Sequence, residues 1–187
     1  MKKSLKFILV NLLLLLVTSC STSQIPTSAA GDPALEAKAR AALQQLYTTT
    51  PKAKLLQSQV KAVLVFPEIL KAGLIVGGEE GNGVMFSADG KVLGYYNATA
   101  VSYGLQAGAQ SFQEAMFLMT DSAINYLATS NGWSIGAGPS VIVVDSGTAR
   151  SLTSTTLKSD VYAFIYGQQG LMAGIGIQGQ KISKLGQ

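Results

Sequence analysis

The chain has 187 residues, with 14 basic and 10 acidic side chains, one cysteine and no histidine. These counts exclude a disulfide within the chain. They also remove the imidazole and thiolate ligands of ordinary zinc and copper sites and the histidine base of the usual serine and cysteine hydrolases. The formal charge of +4 is unevenly placed: residues 1–19 hold Lys2, Lys3 and Lys6 and no acid, so without them 11 basic side chains face 10 acidic ones. That near-neutrality removes the support for a nucleic-acid partner, and neither a metal nor an organic cofactor is expected.

Residues 1–19 read as a signal peptide: three lysines, an apolar run from Phe7 to Val17 broken only by Asn11, then small residues. The run is too short to span a bilayer comfortably. Val17-Thr18-Ser19-Cys20 resembles the lipobox of bacterial lipoproteins. The resemblance implies cleavage before Cys20, thioether lipidation of its sulfur and acylation of the new N-terminus. Two or more acyl chains anchor stably at about 0.8 kcal/mol per buried CH₂, where one does not. The alternative is an unmodified cysteine after ordinary cleavage. Ser21 is not the aspartate that commonly retains such proteins at the inner membrane of enteric bacteria, so the resemblance favours the outer membrane, facing periplasm or cell surface.

Residues 20–32 are small, polar and proline-bearing, as in a flexible tether. Asp32 and Pro33 then supply an N-cap and a first helical residue, and Leu35, Ala39, Ala42, Leu43, Leu46 and Tyr47 repeat at helical spacing, predicting a helix over 33–47. Thr50-Pro51 opens a second helix over 51–61, with Leu55, Leu56 and Val60 on one side and Lys52, Lys54 and Lys61 beyond it. The period then changes to that of strands. Ala62–Phe66 ends at Pro67, Glu68–Gly73 suggests a turn or two of helix, and strands resume on either side of an Asp89-Gly90 hairpin turn. Residues 113–119 could be strand or helix. A helix over 121–130 is capped by Thr120 or Asp121 and closed by Asn131-Gly132. The remainder looks β, ending in a hairpin that turns through Gly167–Gly170, with Tyr162, Phe164 and Tyr166 on one face and Val161, Ala163 and Ile165 on the other. Those aromatics serve core packing rather than a ligand wall. The expected fold is one α+β domain over 33–187: a mainly antiparallel, glycine-rich sheet with a few packed helices.

Motifs that suggest chemistry lose support on inspection. Gly132-Trp133-Ser134-Ile135-Gly136 matches the nucleophile-elbow pattern, but no histidine exists to take the serine proton and Pro139 breaks the helix that should follow. Gly174–Gly179 matches G-x-G-x-x-G, yet a dinucleotide site needs a helix next and an acid about twenty residues on. Glu79 and Glu80 point to opposite sides of extended chain, a poor acid/base pair, and are expected in a solvated loop over 77–83. An enzyme is therefore not expected.

The segments Ala62–Pro67, Lys71–Gly78, Gly81–Val84, Gly104–Gly108, Ala137–Pro139 and Tyr166–Gly176, in this order and spacing, resemble the SYLF domain from about Pro51 onward. Where that family usually carries Trp-Ser-x-Pro, this chain has Gly94-Tyr95-Tyr96-Asn97-Ala98. The family includes bacterial lipoproteins and eukaryotic phosphoinositide-binding and actin-regulating proteins. The resemblance implies lipid binding, which eukaryotic members achieve with basic, amphipathic N-terminal sequence. The expected partner is membrane phospholipid, with Lys52, Lys54 and Lys61 as the candidate contacts. The alternative is a structural or protein-interaction module held at the membrane by Cys20 alone. Mass spectrometry of the membrane-extracted protein is expected to find an N-terminal peptide beginning at Cys20 and carrying lipid; an unmodified Cys20 there overturns the anchor.

Overall fold

The computed structural model describes residues 31–144 and 159–186. The signal peptide, Cys20 and nearly all of the tether lie outside the described residues.

Helix α1 (Pro33–Thr49) begins as expected. The Asp32 carboxylate accepts from the amides of Ala34 and Leu35 at 3.0 and 3.1 Å, satisfying two N–H groups that the helix cannot pair itself. Ala39, Ala42 and Leu46 are buried at its core face. Helix α2 (Pro51–Leu56) stops earlier than its periodicity suggests. The Gln57 and Gln59 amides turn back to Lys54 and Leu56, and the Lys61 amide already donates to the Leu118 carbonyl at 3.0 Å. The pull of the sheet ladder unwinds what would have been the third turn, while Val60 remains buried.

Three long strands follow: β1 (Ala62–Ser87), β2 (Val92–Leu118) and β5 (Val161–Lys184). Between β2 and β5 lie helix α3 (Asp121–Thr129), capped by the Thr120 hydroxyl accepting from Ala123, and two short strands, β3 (Trp133–Ser134) and β4 (Val141–Val144). The sheet order is β1-β2-β5-β3, with β4 also on β5. All pairings are antiparallel except β4 with β5, so the sheet is mixed.

The sheet curls back on itself. β1 shifts register between Leu74 and Val76, where Ile75 adopts φ +69°, and its two arms then face each other. The facing surfaces bury Ala62, Leu64, Phe66, Ile69, Phe112, Met116, Leu118 and Ala163 from the first arm against Met85, Tyr96, Ala98 and Ile182 from the second, with α3 and Trp133 in the same cluster. A separate core forms where α1 and α2 cover Val63, Val65, Phe117, Tyr162 and Phe164 of the first arm, and it extends to Val84 and Phe86 of the second. The strand alternation expected for Tyr162, Phe164 and Tyr166 therefore serves packing, and the Tyr166 hydroxyl donates to the Ala42 carbonyl at 3.0 Å.

Three expectations are corrected, and one alternative left open is decided. Glu68–Gly73 is strand rather than helix: a bulge between Phe66 and Ile69 breaks the two-residue period and leaves a spacing that imitates a helix. The 77–83 segment is strand within β1, not a solvated loop, with Glu79 buried and Glu80 exposed. Residues 113–119 are strand as far as Leu118. Gly167–Gly170 does not reverse the chain: β5 runs through it, pairing with β2 from Val161↔Leu118 to Lys184↔Tyr96. Gly167 and Gly170 sit at φ +64° and +89°, so their conformational freedom bends a strand instead of closing a hairpin. The hairpin at Asp89-Gly90 is present, with the Gly90 amide donating to the Ser87 carbonyl.

The close approach of the two arms demands glycine. A Cβ on Gly83 would lie 2.5 Å from Phe66 Cδ1 and 2.7 Å from the Val65 carbonyl, whereas one on Gly179 meets nothing within 4 Å. Gly83→Ala is expected to lower stability by about 1–3 kcal/mol, as overpacking does, and Gly179→Ala to change it by less than about 0.5 kcal/mol. Urea unfolding midpoints for the pair check this; equal midpoints overturn the contact.

Candidate lipid-facing helix and buried polar layer

The three candidate lysines do not form one patch. Lys54 is exposed on α2, at the rim of a cleft of about 440 Å³ shared with Gln44, Tyr47, Thr48, Pro51 and Gln57. Lys52 is half-buried on the same helix. Lys61 lies beyond the helix and pairs with Asp121 of α3 at 2.7 Å, so an acid distant in sequence offsets its charge. The apolar side expected beside them is also reduced. Leu56 and Val60 are core residues, and only Leu55, 61% exposed, is offered to solvent. What remains is a short element carrying Lys54 and Leu55 outward.

Sequence reasoning missed a second feature between the arms of the sheet. Lys71 Nζ contacts Glu79 Oε1 at 2.6 Å and donates to Gln178 Oε1 at 2.6 Å, while Gln178 Nε2 donates to the other Glu79 oxygen at 3.0 Å. Glu114, on the facing arm, is buried and accepts from Gln180 Nε2 at 3.0 Å. Nearby, the buried Ser102 hydroxyl and Gln106 amide bond each other. Burial pushes the Glu114 carboxyl up to about 7; the Gln180 bond opposes this and the Glu79 charge adds to it. The sequence signal is one acid, Glu114, at an inward strand position between Phe112 and Met116. Reading it requires knowing that both faces of this strand are covered.

Other candidate chemistry stays apart. Ser134 is an exposed residue of the two-residue strand β3, opposite Lys181 in register, and no helix follows it to make a nucleophile elbow. Among the described residues no group of three or more His, Cys, Asp or Glu side chains could hold a metal ion, and no helix is long and apolar enough to cross a membrane.

A curled sheet of three long strands with helices packed on its outer face is thus the frame, and residues 99–186, from within β2 through β5, match the family described as Ysc84, Las17-binding protein actin regulator. The match supports membership in this SYLF-domain family and lies on the second half of the chain. The matched stretch contains the Gly104–Gly108, Ala137–Pro139 and Tyr166–Gly176 segments; the three earlier ones precede it. A comparison with curated proteins finds no match.

Glu114 generates a pH dependence. Its folded-state pKa lies above the ordinary 4.5, so the folded protein holds this proton more tightly than the unfolded chain does. The resulting stability is fully present below about pH 4.5 and is lost as pH rises through about 7. No histidine exists to titrate in the same window. Glu114→Gln is expected to flatten the profile between pH 5 and 8 and to exceed the parent at pH 8 by on the order of 2–3 kcal/mol. Urea unfolding across that range checks it; a parent profile that rises toward pH 8 overturns it.

Proposed function

We propose that this is a lipid-anchored lipoprotein of the bacterial envelope whose SYLF domain binds phospholipid at the membrane that holds it. The observation that carries the reading is α2, which places an exposed leucine, Leu55, directly beside an exposed lysine, Lys54, on a short helix at the start of the domain. A cation near an anionic leaflet contributes about 1 kcal/mol, and the adjoining apolar side chain adds a contact that salt does not screen. Such an affinity is weak alone. It becomes effective once an acylated Cys20 holds the domain within reach of the surface, because binding is then intramolecular. The lipobox-like sequence at Cys20 supports that anchor, and the SYLF-family match supports the lipid reading. The reading assigns no catalytic step to Ser134 and requires no cofactor.

A second reading is a protein-interaction module tethered by Cys20. The family's description, a Las17-binding protein and actin regulator, names a protein partner and so favours it. Actin regulation itself does not suit an envelope protein.

A chain beginning at Gly31 keeps both cores whole and separates the two readings. It is expected to float with phosphatidylglycerol-containing vesicles at low salt and less at high salt. Lys54→Glu is expected to weaken binding about fivefold or more, and Lys61→Glu to weaken it less, since Asp121 already offsets Lys61. No flotation by the parent, or equal flotation by Lys54→Glu, overturns the lipid reading in favour of the interaction module.

A further inference from the structure

The bend of the curled sheet carries an apolar surface that the packing of the domain does not use. Residues 72–78 of β1, 101–109 of β2 and 170–179 of β5 contain no charged side chain. The ladder places them side by side: Leu74 lies opposite Ala107 and Ala107 opposite Ala173, Val76 lies opposite Tyr103, and Ala109 lies opposite Leu171. Four large side chains here face solvent, with Tyr103 70%, Leu74 73%, Leu105 82% and Leu171 88% exposed. Ile75 and Val76 are also exposed. Single exposed hydrophobic residues need no explanation, but a contiguous group free of charge marks a contact surface. Ile75 strengthens the case: a β-branched residue at φ +69° is strained, and its side chain is exposed rather than packed in the core.

We propose that this bend is a membrane-inserting tip that enters the hydrocarbon edge of the bilayer, an inference that rests on the lipid-binding reading above and names a second contact site for it. Three observations select a bilayer as the occupant. First, the surface carries no charged side chain with which a polar or ionic partner could pair. Second, the central backbone of the tip is already satisfied: β2 pairs with β5 without a break from Val101↔Gly179 to Gln110↔Gly170, and where the β1–β2 register skips Ile75 and Gly104–Gln106 the Ile75 carbonyl accepts from Gln106 Nε2 at 3.5 Å. Third, the anchor reaches. The peptide links from Cys20 to Gly31 extend at most to about 40 Å. The start of α1 is fixed beside Tyr95 by the Glu36 carboxylate, and Tyr95 to Tyr103 along β2 spans roughly 26 Å at the usual strand rise. An acyl chain on Cys20 and the tip can therefore occupy the same leaflet. Tyr103 fits the interfacial depth, with an apolar ring and a polar hydroxyl. The segment 145–158, which is Ser/Thr-rich and contains Asp145, Arg150 and Lys158, has too little apolar surface to serve as a cover.

The test places a reporter in the tip. The one native tryptophan, Trp133, is fully buried and supplies a constant background. The full chain carrying Tyr103→Trp, extracted from membranes and reconstituted into phosphatidylethanolamine/phosphatidylglycerol vesicles, is expected to show blue-shifted emission quenched by brominated acyl chains, with parent emission unchanged. In the chain beginning at Gly31, Leu105→Asp with Leu171→Asp is expected to reduce vesicle retention about tenfold or more, with the urea midpoint preserved because both positions are exposed. Unquenched emission from the Tyr103→Trp reporter in a chain that stays with the vesicles overturns the tip while leaving the lysine-bearing helix in place. A blue shift that needs no vesicles but rises with protein concentration assigns the surface to a second copy, and one independent of concentration assigns it to another segment of this chain; either overturns insertion. If neither the full chain nor the Gly31 chain associates with vesicles, both readings fall.

Discussion

The structure depends on how closely one strand approaches itself. β1 folds back so that Gly81 and Gly83 of its second arm lie against Glu68, Ile69, Val65 and Phe66 of its first, at distances that leave no room for a Cβ. Everything else is arranged around that contact. β2 and β5 must bend with β1 because the ladder binds all three along most of their length. The space between the arms then becomes an interior, closed by α3 and Trp133. Three strands thereby supply two packed layers, the minimum a sheet needs to bury one face.

That interior is apolar at one end and polar toward the bend. Lys71, Glu79, Gln178, Gln180 and Glu114 link the two arms by hydrogen bonds and one ion pair. Removing charges from water is expensive, and a buried pair often does no better than well-packed apolar residues would. The layer contributes specificity: an arm displaced by two residues would leave a carboxylate without its amide or ammonium partner. Glu114 is buried, and with the Glu79 charge nearby and only the Gln180 amide to oppose them, its proton is held into the neutral range.

The local parts of this fold were legible in the sequence and the long-range parts were not. Asp32-Pro33 marks the start of α1, Thr120 caps α3, and Asp89-Gly90 closes the β1–β2 hairpin, because each signal acts within four residues. The alternation of Tyr162, Phe164 and Tyr166 gave their common face correctly. Gly167–Gly170 looked like a turn because two glycines with left-handed backbones usually make one; only the waiting edge of β2, some fifty residues earlier in the chain, turns them into a bend. Lys61 looked free until α3 brought Asp121 to it. The charge-free runs around residues 75 and 105 read only as strand, since sequence cannot say that the sheet curls and leaves Leu74, Tyr103 and Leu105 exposed.

The central position of β2 also sets the order in which the molecule can assemble. β1 and β2 are neighbours in sequence and join through a tight turn, so their pairing is local and fast. The partner of β2 on its other side is β5, and Leu118 meets Val161 only after the whole of α3, β3 and β4 has been passed, while Tyr96 must wait for Lys184. Loop-closure entropy must be met before those contacts return anything, which makes this pairing the slow step. Until residues 161–184 are available, neither arm has its third strand and the interior has no Ile182 or Val161. The chain is thus held back from full compaction until its last long strand has been made, so its folding follows its synthesis instead of accompanying it.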